Sequence, residues 1–220
     1  MPSFDPELLE YLEGFLTSQR KARFLEVLAR RTRYITVALE DVFQLHNASA
    51  VIRSCDVFGL QEAHLIEARF GRRLDKKIAM GAQRWVDIHR HATTADCLRA
   101  LKARGFRIVA TSPREGSLTP DDFPLDRPLA LFLGTEKEGL SQEVMEQADH
   151  TIHIPMQGFT ESLNISVAAA ILLYRLTQRL RQSDMPWGLS EADQLEKRLD
   201  WTKKTIKSSE DIIARFRSES

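Results

Sequence analysis

The chain has 220 residues, of which 43% are hydrophobic and 28% charged. That is the composition of an ordinary globular protein, neither disordered nor fibrous, and long enough to bury a core without disulfides or metals. Lys and Arg together number 31, as do Asp and Glu, so the formal net charge is zero; this excludes a polycation that grips nucleic acid through bulk charge, but not local basic faces.

The opening MPSFDPELLEYLEGF lacks a basic segment followed by an apolar core, so no secretory signal is expected. Pro6 to Leu16 is predicted as a short amphipathic helix, and Ser18 to Arg31 as a second, apolar at Phe24, Leu25 and Leu28. The run Arg20 to Arg33 sets six bases (Arg20, Lys21, Arg23, Arg30, Arg31, Arg33) against one acid. Tyr34 to Glu40 alternates and is β-branched, hence a strand. Asn47 to Phe58 reads as a helix capped by Asn47 or Ser49 and stopped by Gly59. Ala63 to Glu67 is a short strand. Arg69 to Arg84 again holds six bases, Arg72, Arg73, Lys76, Lys77 and Arg84 among them, against Asp75. Val86 to Ile88 is a weak strand.

Thr93 to Arg104 is a helix with a Thr93/Asp96 capping pair, closed by Gly105. Phe106 to Ala110 is a strand, Ser112 to Arg127 a proline-rich loop, and Leu129 to Leu133 a continuous apolar strand buried on both faces. Ser141 to Ala148 is a helix and Thr151 to Ile154 a strand. Ser162 to Arg181 is a long helix, apolar nearly all round from Val167 to Tyr174, so its first half is expected in the core. That apolar run is too short to cross a bilayer. Ser190 to Phe216 is a last helical stretch with a Ser190/Asp193 cap.

Strand and helix alternate from 34 to 182, which predicts an α/β domain with a mostly parallel sheet. Residues 1–33 and 183–220 are helical extensions. Thr111 to His150 carries nine acids against three bases, so the zero sum conceals segregated charge. A charge run by itself reads as solvated surface. Cys55 and Cys97 sit in neither a CxxC nor a Cys/His ligand spacing; two buried reduced thiols and no metal are expected.

Ligands of open α/β sheets bind at the carboxyl ends of strands, and three such ends carry suggestive residues. After the first strand comes HNASAVIRSC, where Asn47, Ala50 and Arg53 are placed on one helix face, with Arg53 partly buried between apolar neighbours. The second is LGTEKEGLS (133–141), whose glycines bracket a tight loop that fits neither a dinucleotide fingerprint nor a phosphate loop. The third is IPMQGFTESLNIS (154–166). With no GxSxG elbow, Ser162 reads as a helix cap rather than a nucleophile. Asn164, just inside a buried helix, needs a partner because an unpaired buried amide costs about 1–3 kcal/mol; a polar network with the first segment is expected.

The segments HNASAVIRSCDVFGLQEAHLI, LFLGTEKEGLSQEVMEQAD and IHIPMQGFTESLNISVAAAILLYRL together resemble the SPOUT class of S-adenosylmethionine-dependent RNA methyltransferases, and within it the TrmH family, over about residues 22 to 182. The resemblance implies a C-terminal trefoil knot, against the general rule that chains do not knot. It also implies a homodimer and an S-adenosylmethionine site on Thr111, Gly134, Ile154, Met156, Ser162 and Leu163; a cytoplasmic location is expected from the lack of a signal segment and of a membrane-length apolar run. The implied reaction is methylation of a ribose 2′-hydroxyl in tRNA, at guanosine 18 of the D-loop, with ribosomal RNA or another tRNA ribose as the alternative. A non-catalytic RNA-binding protein of the same fold is the alternative of another class, disfavoured by the intact catalytic set.

By the same match Arg53 carries the proton-handling role, Asn47 holds the site, Glu136 positions Arg53 or the RNA, and Ser162 and Asn164 complete the hydrogen bonding. Arg has no acceptor when protonated, so two roles stay open: a base deprotonated by its surroundings, or a bidentate phosphate holder that orients the ribose. The basic runs become phosphate contacts: Arg20, Lys21, Arg23, Arg30, Arg31 and Arg33, then Arg72, Arg73, Lys76, Lys77 and Arg84. The segment 42–46 (VFQLH) and the Phe159-Thr160-Glu161 stretch depart from the family pattern, which bears on the RNA target more than on the reaction.

Overall fold

The computed structural model describes residues 5–41, 45–67, 79–112, 116–135 and 138–219. Arg72, Arg73, Lys76, Lys77 and Glu136 lie outside them. Among the described residues the elements are α1 (Pro6–Glu13), α2 (Ser18–Leu28), β1 (Ile35–Glu40), α3 (Leu45–Phe58), β2 (Glu62–Ile66), a 3₁₀ turn (Ala82–Arg84), β3 (Asp87–His91) and α4 (Thr94–Ala103). There follow β4 (Arg107–Thr111), β5 (Leu129–Leu133), α5 (Gln142–Gln147), β6 (His150–Ile152), α6 (Ile165–Arg181), α7 (Glu191–Thr205) and α8 (Ser209–Glu219). The chain divides into two compact units, Thr32–Trp187 and the pair Met1–Arg31 with Gly188–Ser220.

In the larger unit the strands form one sheet in the order β3-β2-β1-β5-β4-β6, every pairing parallel. The α/β architecture with a parallel sheet is therefore as the alternation predicts. Central β5 shows why its sequence is apolar throughout. Leu129, Leu131 and Leu133 join a core with Val51, Ile52 and Cys55 of α3 and Leu172, Leu173 and Leu176 of α6. Ala130 and Phe132 join the opposite core with Cys97, Leu98 and Leu101 of α4 and Val144 of α5. Each fully buried Leu or Phe is worth about 1.5–3 kcal/mol relative to exposure, so these two layers supply most of the unit's driving force.

Several boundaries differ from expectation for identifiable reasons. β3 extends to His91 rather than ending at Ile88; its sequence, DIHRH, is polar because an edge strand needs no apolar outer face. α3 begins at Leu45, so Asn47 lies in its first turn instead of capping it. α6 begins at Ile165 with Asn164 as its cap, so the cap is not Ser162. The start of α6 is apolar all round without being buried all round: Val167, Ile171 and Tyr174 are 46%, 40% and 53% exposed along one stripe. The stretch Ser190–Phe216 is two helices, because Ile206 is extended (ψ 129°) and Ser208 turns at φ 56°. The Thr93 cap is present, its hydroxyl oxygen accepting from the Asp96 N–H at 3.1 Å.

The smaller unit packs α1 against α7 and α8, and α2 against α7, so the two ends of the chain form one body. Trp201 is its centre, edge-on to Phe24 (5.5 Å between ring centroids) with the Arg31 guanidinium over its ring at 5.5 Å. Arg198 forks onto Glu13 at 2.8 and 2.9 Å, joining α7 to α1.

Candidate active site

β5, β4 and β6 lie side by side, and the site is built from the loops that follow them. Thr111 closes β4, and its hydroxyl donates to the Phe132 carbonyl at 2.9 Å, tying two strand ends together. After β5 the loop from Gly134 doubles back. The Thr135 N–H donates to the Gly139 carbonyl (2.9 Å), and the Gly139 N–H to the Thr135 carbonyl (3.0 Å). A Cβ on Gly134 would fall well inside 3.0 Å of the Gly139 and Leu140 backbone, so only glycine lets the two arms meet. After β6 the chain runs irregularly from 153 to 164 before α6 begins.

Between these loops lies a cavity of about 390 Å³, within the range of small-molecule pockets. Thr111, Gly134, Ile154, Met156, Ser162 and Leu163 all line it. The structure thus gathers into one cavity the six positions that the motif match singles out, from three strand ends and their loops spread between Thr111 and Leu163. Leu133, Met145, Ile165 and Leu172 add apolar wall, Ser112 and Thr135 polar groups.

A buried residue not singled out in the sequence braces this region. Glu40, the last residue of β1, is 4% exposed. Its carboxylate accepts from the Ser141 N–H (2.8 Å), the Ser141 hydroxyl (2.7 Å) and the Thr94 hydroxyl (2.6 Å). Ser141 caps α5 directly after Leu140, which lines the cavity. The only sequence signal was a charged residue ending an otherwise apolar strand.

The expected network between first and third segments is present in part. The Asn164 Nδ2 donates to the Asn47 Oδ1 at 3.2 Å, while the Asn164 Oδ1 accepts from the Ser166 N–H and hydroxyl. Asn47 is buried, but Asn164 is exposed, so its position is that of a cap and not of a buried amide seeking a partner. Ser162 is exposed on the cavity wall. Arg53 is exposed rather than partly buried. Six residues along a helix amount to a rotation of about 120° from Asn47, enough to take Arg53 from the buried side to solvent.

The basic candidates divide by burial. Arg20, Arg23, Arg30 and Arg84 are exposed and Lys21 half-buried. Two others do not fit a phosphate-binding role. Arg31 is 1% exposed beneath Trp201. Arg33 is committed to Glu62 (3.2 Å) and Asp87 (3.1 Å). Burial alone would raise the Glu62 carboxyl; the nearby His64 and His89 imidazoles and the Arg104 guanidinium, bonded at 2.7 Å, overturn that and hold it well below the usual carboxylate range.

Both cysteines are buried thiols outside any disulfide, and burial pushes the Cys97 thiol up to about 12. The structure nonetheless brings the ligand atoms of His64, His91 and Cys97 within 4.8 Å of one another, a grouping that the sequence spacing does not announce. No described helix is long and apolar enough to cross a membrane.

Residues 34–174 match the model of the SpoU rRNA methylase family. A tRNA (guanosine(18)-2′-O)-methyltransferase of Borreliella burgdorferi is 40% identical over 197 residues, covering 90% of each chain. The crystal structure of the A. aeolicus TrmH/SpoU tRNA modifying enzyme is similar with a TM-score of 0.78 at 33% identity, covering 86% of this chain and 98% of that one. An AdoMet-bound rRNA methyltransferase from Sinorhizobium meliloti is similar with a TM-score of 0.60 at 28% identity, covering 71% of this chain and 60% of that one.

Proposed function

The chain belongs to the SpoU rRNA methylase family, and we propose that it transfers a methyl group from S-adenosylmethionine to the 2′-hydroxyl of guanosine 18 in tRNA. The observation that carries this reading is the single cavity lined by Thr111, Gly134, Ile154, Met156, Ser162 and Leu163. Its chemistry suits a nucleoside cofactor, which has apolar faces and polar edges. Ile154, Met156, Leu163 and Leu172 give an apolar slot, and the close-set Gly134 loop lets backbone groups reach the ligand. S-adenosylmethionine, when bound, supplies an electrophilic methyl on a sulfonium. The substrate carries the choice of tRNA over ribosomal RNA from the Borreliella burgdorferi relative, which matches along nearly the whole chain.

The chain's own residues then have separable tasks. The glycine loop and the strand ends would hold the cofactor in a fixed pose, which favours in-line transfer by positioning. Asn47 and Asn164 fix the start of α6 against α3, the helix that bears Arg53. Exposed, Arg53 presents five N–H donors and no acceptor, which suits bidentate hold of an RNA phosphate that orients the ribose better than abstraction of a proton. Glu136, Ser162 and Asn164 remain the proposed companions of Arg53.

The protein is proposed to work as a homodimer in the cytoplasm, where tRNA is modified. The exposed stripe Val167, Ile171 and Tyr174 on α6 supports the dimer: side chains at this spacing share one helix face, and a second copy would remove them from water. The decisive assay incubates the protein with labelled S-adenosylmethionine and separate pools of tRNA and ribosomal RNA, then maps the modified nucleotide. Label on the ribose of tRNA guanosine 18 is expected. Label only in ribosomal RNA, on a base, or nowhere overturns the reading.

A further inference from the structure

We propose that His64, His91 and Cys97 form a binding site for a zinc-class transition-metal ion, which clips α4 to the edge of the sheet. The three residues share none with the cavity described above. His64 lies on β2, and His91 ends β3 two residues beyond the partner that directly faces it, so the pleat turns both rings to one side. Their rings stack at 5.2 Å, with the His64 Nδ1 2.9 Å from the His91 Nε2. Cys97 lies in the first turn of α4, packed on that same face of the sheet beside Ile66. Two of the three ligands are buried, and His91 is half-buried, leaving one side open to solvent.

The distances are close to those an ion requires. Zinc bonds of about 2.0–2.1 Å to nitrogen and 2.3 Å to sulfur place tetrahedral ligand atoms about 3.3–3.6 Å apart. The His64 and His91 nitrogens would separate by about 0.4 Å, and the longest distance in the group, at most 4.8 Å, would shorten by about 1 Å, both within side-chain adjustment. The orientation of His64 is also that of a ligand. With Nδ1 turned to the site, its Nε2 is buried without a hydrogen-bond partner and faces the Glu62 carboxylate at 3.8 Å. A carboxylate behind the far nitrogen is the usual arrangement that orients a metal-binding imidazole. Glu62 is itself fixed by Arg33 and Arg104.

Two imidazoles and one thiolate are soft to borderline donors, which select zinc or copper over magnesium or calcium. The fourth position is left for water, as in sites with three protein ligands. Binding replaces the S–H bond with a metal–sulfur bond and releases one proton to solvent. The proton that lies between the two imidazoles moves to the outer nitrogen of the ring that carries it, so each stays neutral with no net change.

The test uses the full chain after chelator treatment, titrated with Co²⁺ as the spectroscopic probe and then with Zn²⁺ in competition. One Co²⁺ per chain with a thiolate-to-cobalt charge-transfer band is expected, displaced by Zn²⁺ and untouched by Mg²⁺. Cys97→Ser should abolish the band, and Cys55→Ser should keep it. His91→Gln, at a half-exposed edge where folding is safe, should weaken binding by tenfold or more, on the order of what loss of a supporting group already costs. No thiolate band in the wild type, a band that survives Cys97→Ser, or unchanged affinity in His91→Gln overturns the proposal. Methyl-transfer activity is not a readout, so failure here leaves the proposed function standing.

Discussion

Substituting Gly134 by alanine adds one methyl group at the point where the two arms of the loop meet. Gly134 is not at positive φ, so its conformation is open to alanine and the obstacle is purely steric. The new carbon would lie well inside 3.0 Å of the Gly139 carbonyl group and the Leu140 nitrogen, all backbone atoms that cannot rotate away. Restoring ordinary contact requires the arms to part by about 1 Å, and overpacking of this kind costs about 1–3 kcal/mol. The same movement strains the paired Thr135–Gly139 hydrogen bonds, together worth about 1–3 kcal/mol. Because Gly134, Thr135, Gly139 and Leu140 all line the cavity, the displaced wall should cost about 10²-fold in kcat/KM. Gly139→Ala is the control: its φ of 71° imposes backbone strain of about 1–2 kcal/mol, but a Cβ there meets nothing within 4 Å. Calorimetric titration with S-adenosylmethionine and thermal unfolding should show Gly134→Ala impaired in both, and Gly139→Ala impaired mainly in stability. Wild-type cofactor affinity in Gly134→Ala, or equal loss of affinity in both variants, would refute the reasoning.

Arg53→Ala should leave unfolding within about 0.5 kcal/mol of wild type, because the side chain is exposed, yet lower turnover by about 10²-fold through lost positioning of the ribose; near-normal turnover removes Arg53 from the site. Asn164→Ala should lose about 1–2 kcal/mol through the α6 cap and the Asn47 bond. Asn164→Ser, which can still cap but cannot reach Asn47, should regain only the capping share of the stability and not the turnover. Charge removal at Arg20, Arg23 and Arg30 together should weaken tRNA binding and flatten its salt dependence by about one logarithmic slope unit per lost phosphate contact, whereas Arg31→Ala should lower the melting temperature, since desolvated cation–π contacts reach about 2 kcal/mol. Val167→Asp with Ile171→Asp should shift the protein from dimer to monomer in analytical ultracentrifugation; an unchanged mass moves the interface elsewhere.

The sheet was legible because burial writes itself into composition: β5, buried on both faces, is apolar at every position, and β1, also buried throughout, is apolar or β-branched up to Glu40. β3 was cut short because an edge strand of Asp, His and Arg leaves no apolar period to read. The cavity positions were legible only through motif resemblance, since glycines, a proline and a short polar run are what any strand-to-helix loop contains. Side-chain commitments were the least legible. Arg30 and Arg31 are adjacent and chemically alike, yet one is exposed and the other lies under Trp201, about 170 residues away in sequence. Glu40, and the grouping of His64 with His91 and Cys97, depend in the same way on pairings between distant segments.

Those commitments explain how a chain of zero net charge can serve as an RNA-modifying enzyme. A charge withdrawn from water must meet a partner, or it costs several kcal/mol. Buried Glu62 is therefore met by half-buried Arg33 and by Arg104 at the surface, half-buried Arg198 by Glu13, and buried Arg107 by Asp126 at 2.7 Å. Arg179 instead donates to the carbonyls of Pro120 and Phe123. These arginines hold elements together, and each acid that neutralises one lowers the net charge without weakening any basic surface. The proposed RNA contacts fall instead to exposed bases: Arg20, Arg53 and Arg84, with Arg23 and Arg30, which share Glu26 at 2.7 and 3.3 Å in water where such pairs are weak. Counterion release depends on how many such groups reach phosphates and not on the sum over the chain. Removing an acid that braces an internal arginine, as in Asp126→Asn, should consequently raise the net charge yet leave the salt slope of tRNA binding unchanged; a steeper slope would show that total charge, and not its placement, sets the affinity.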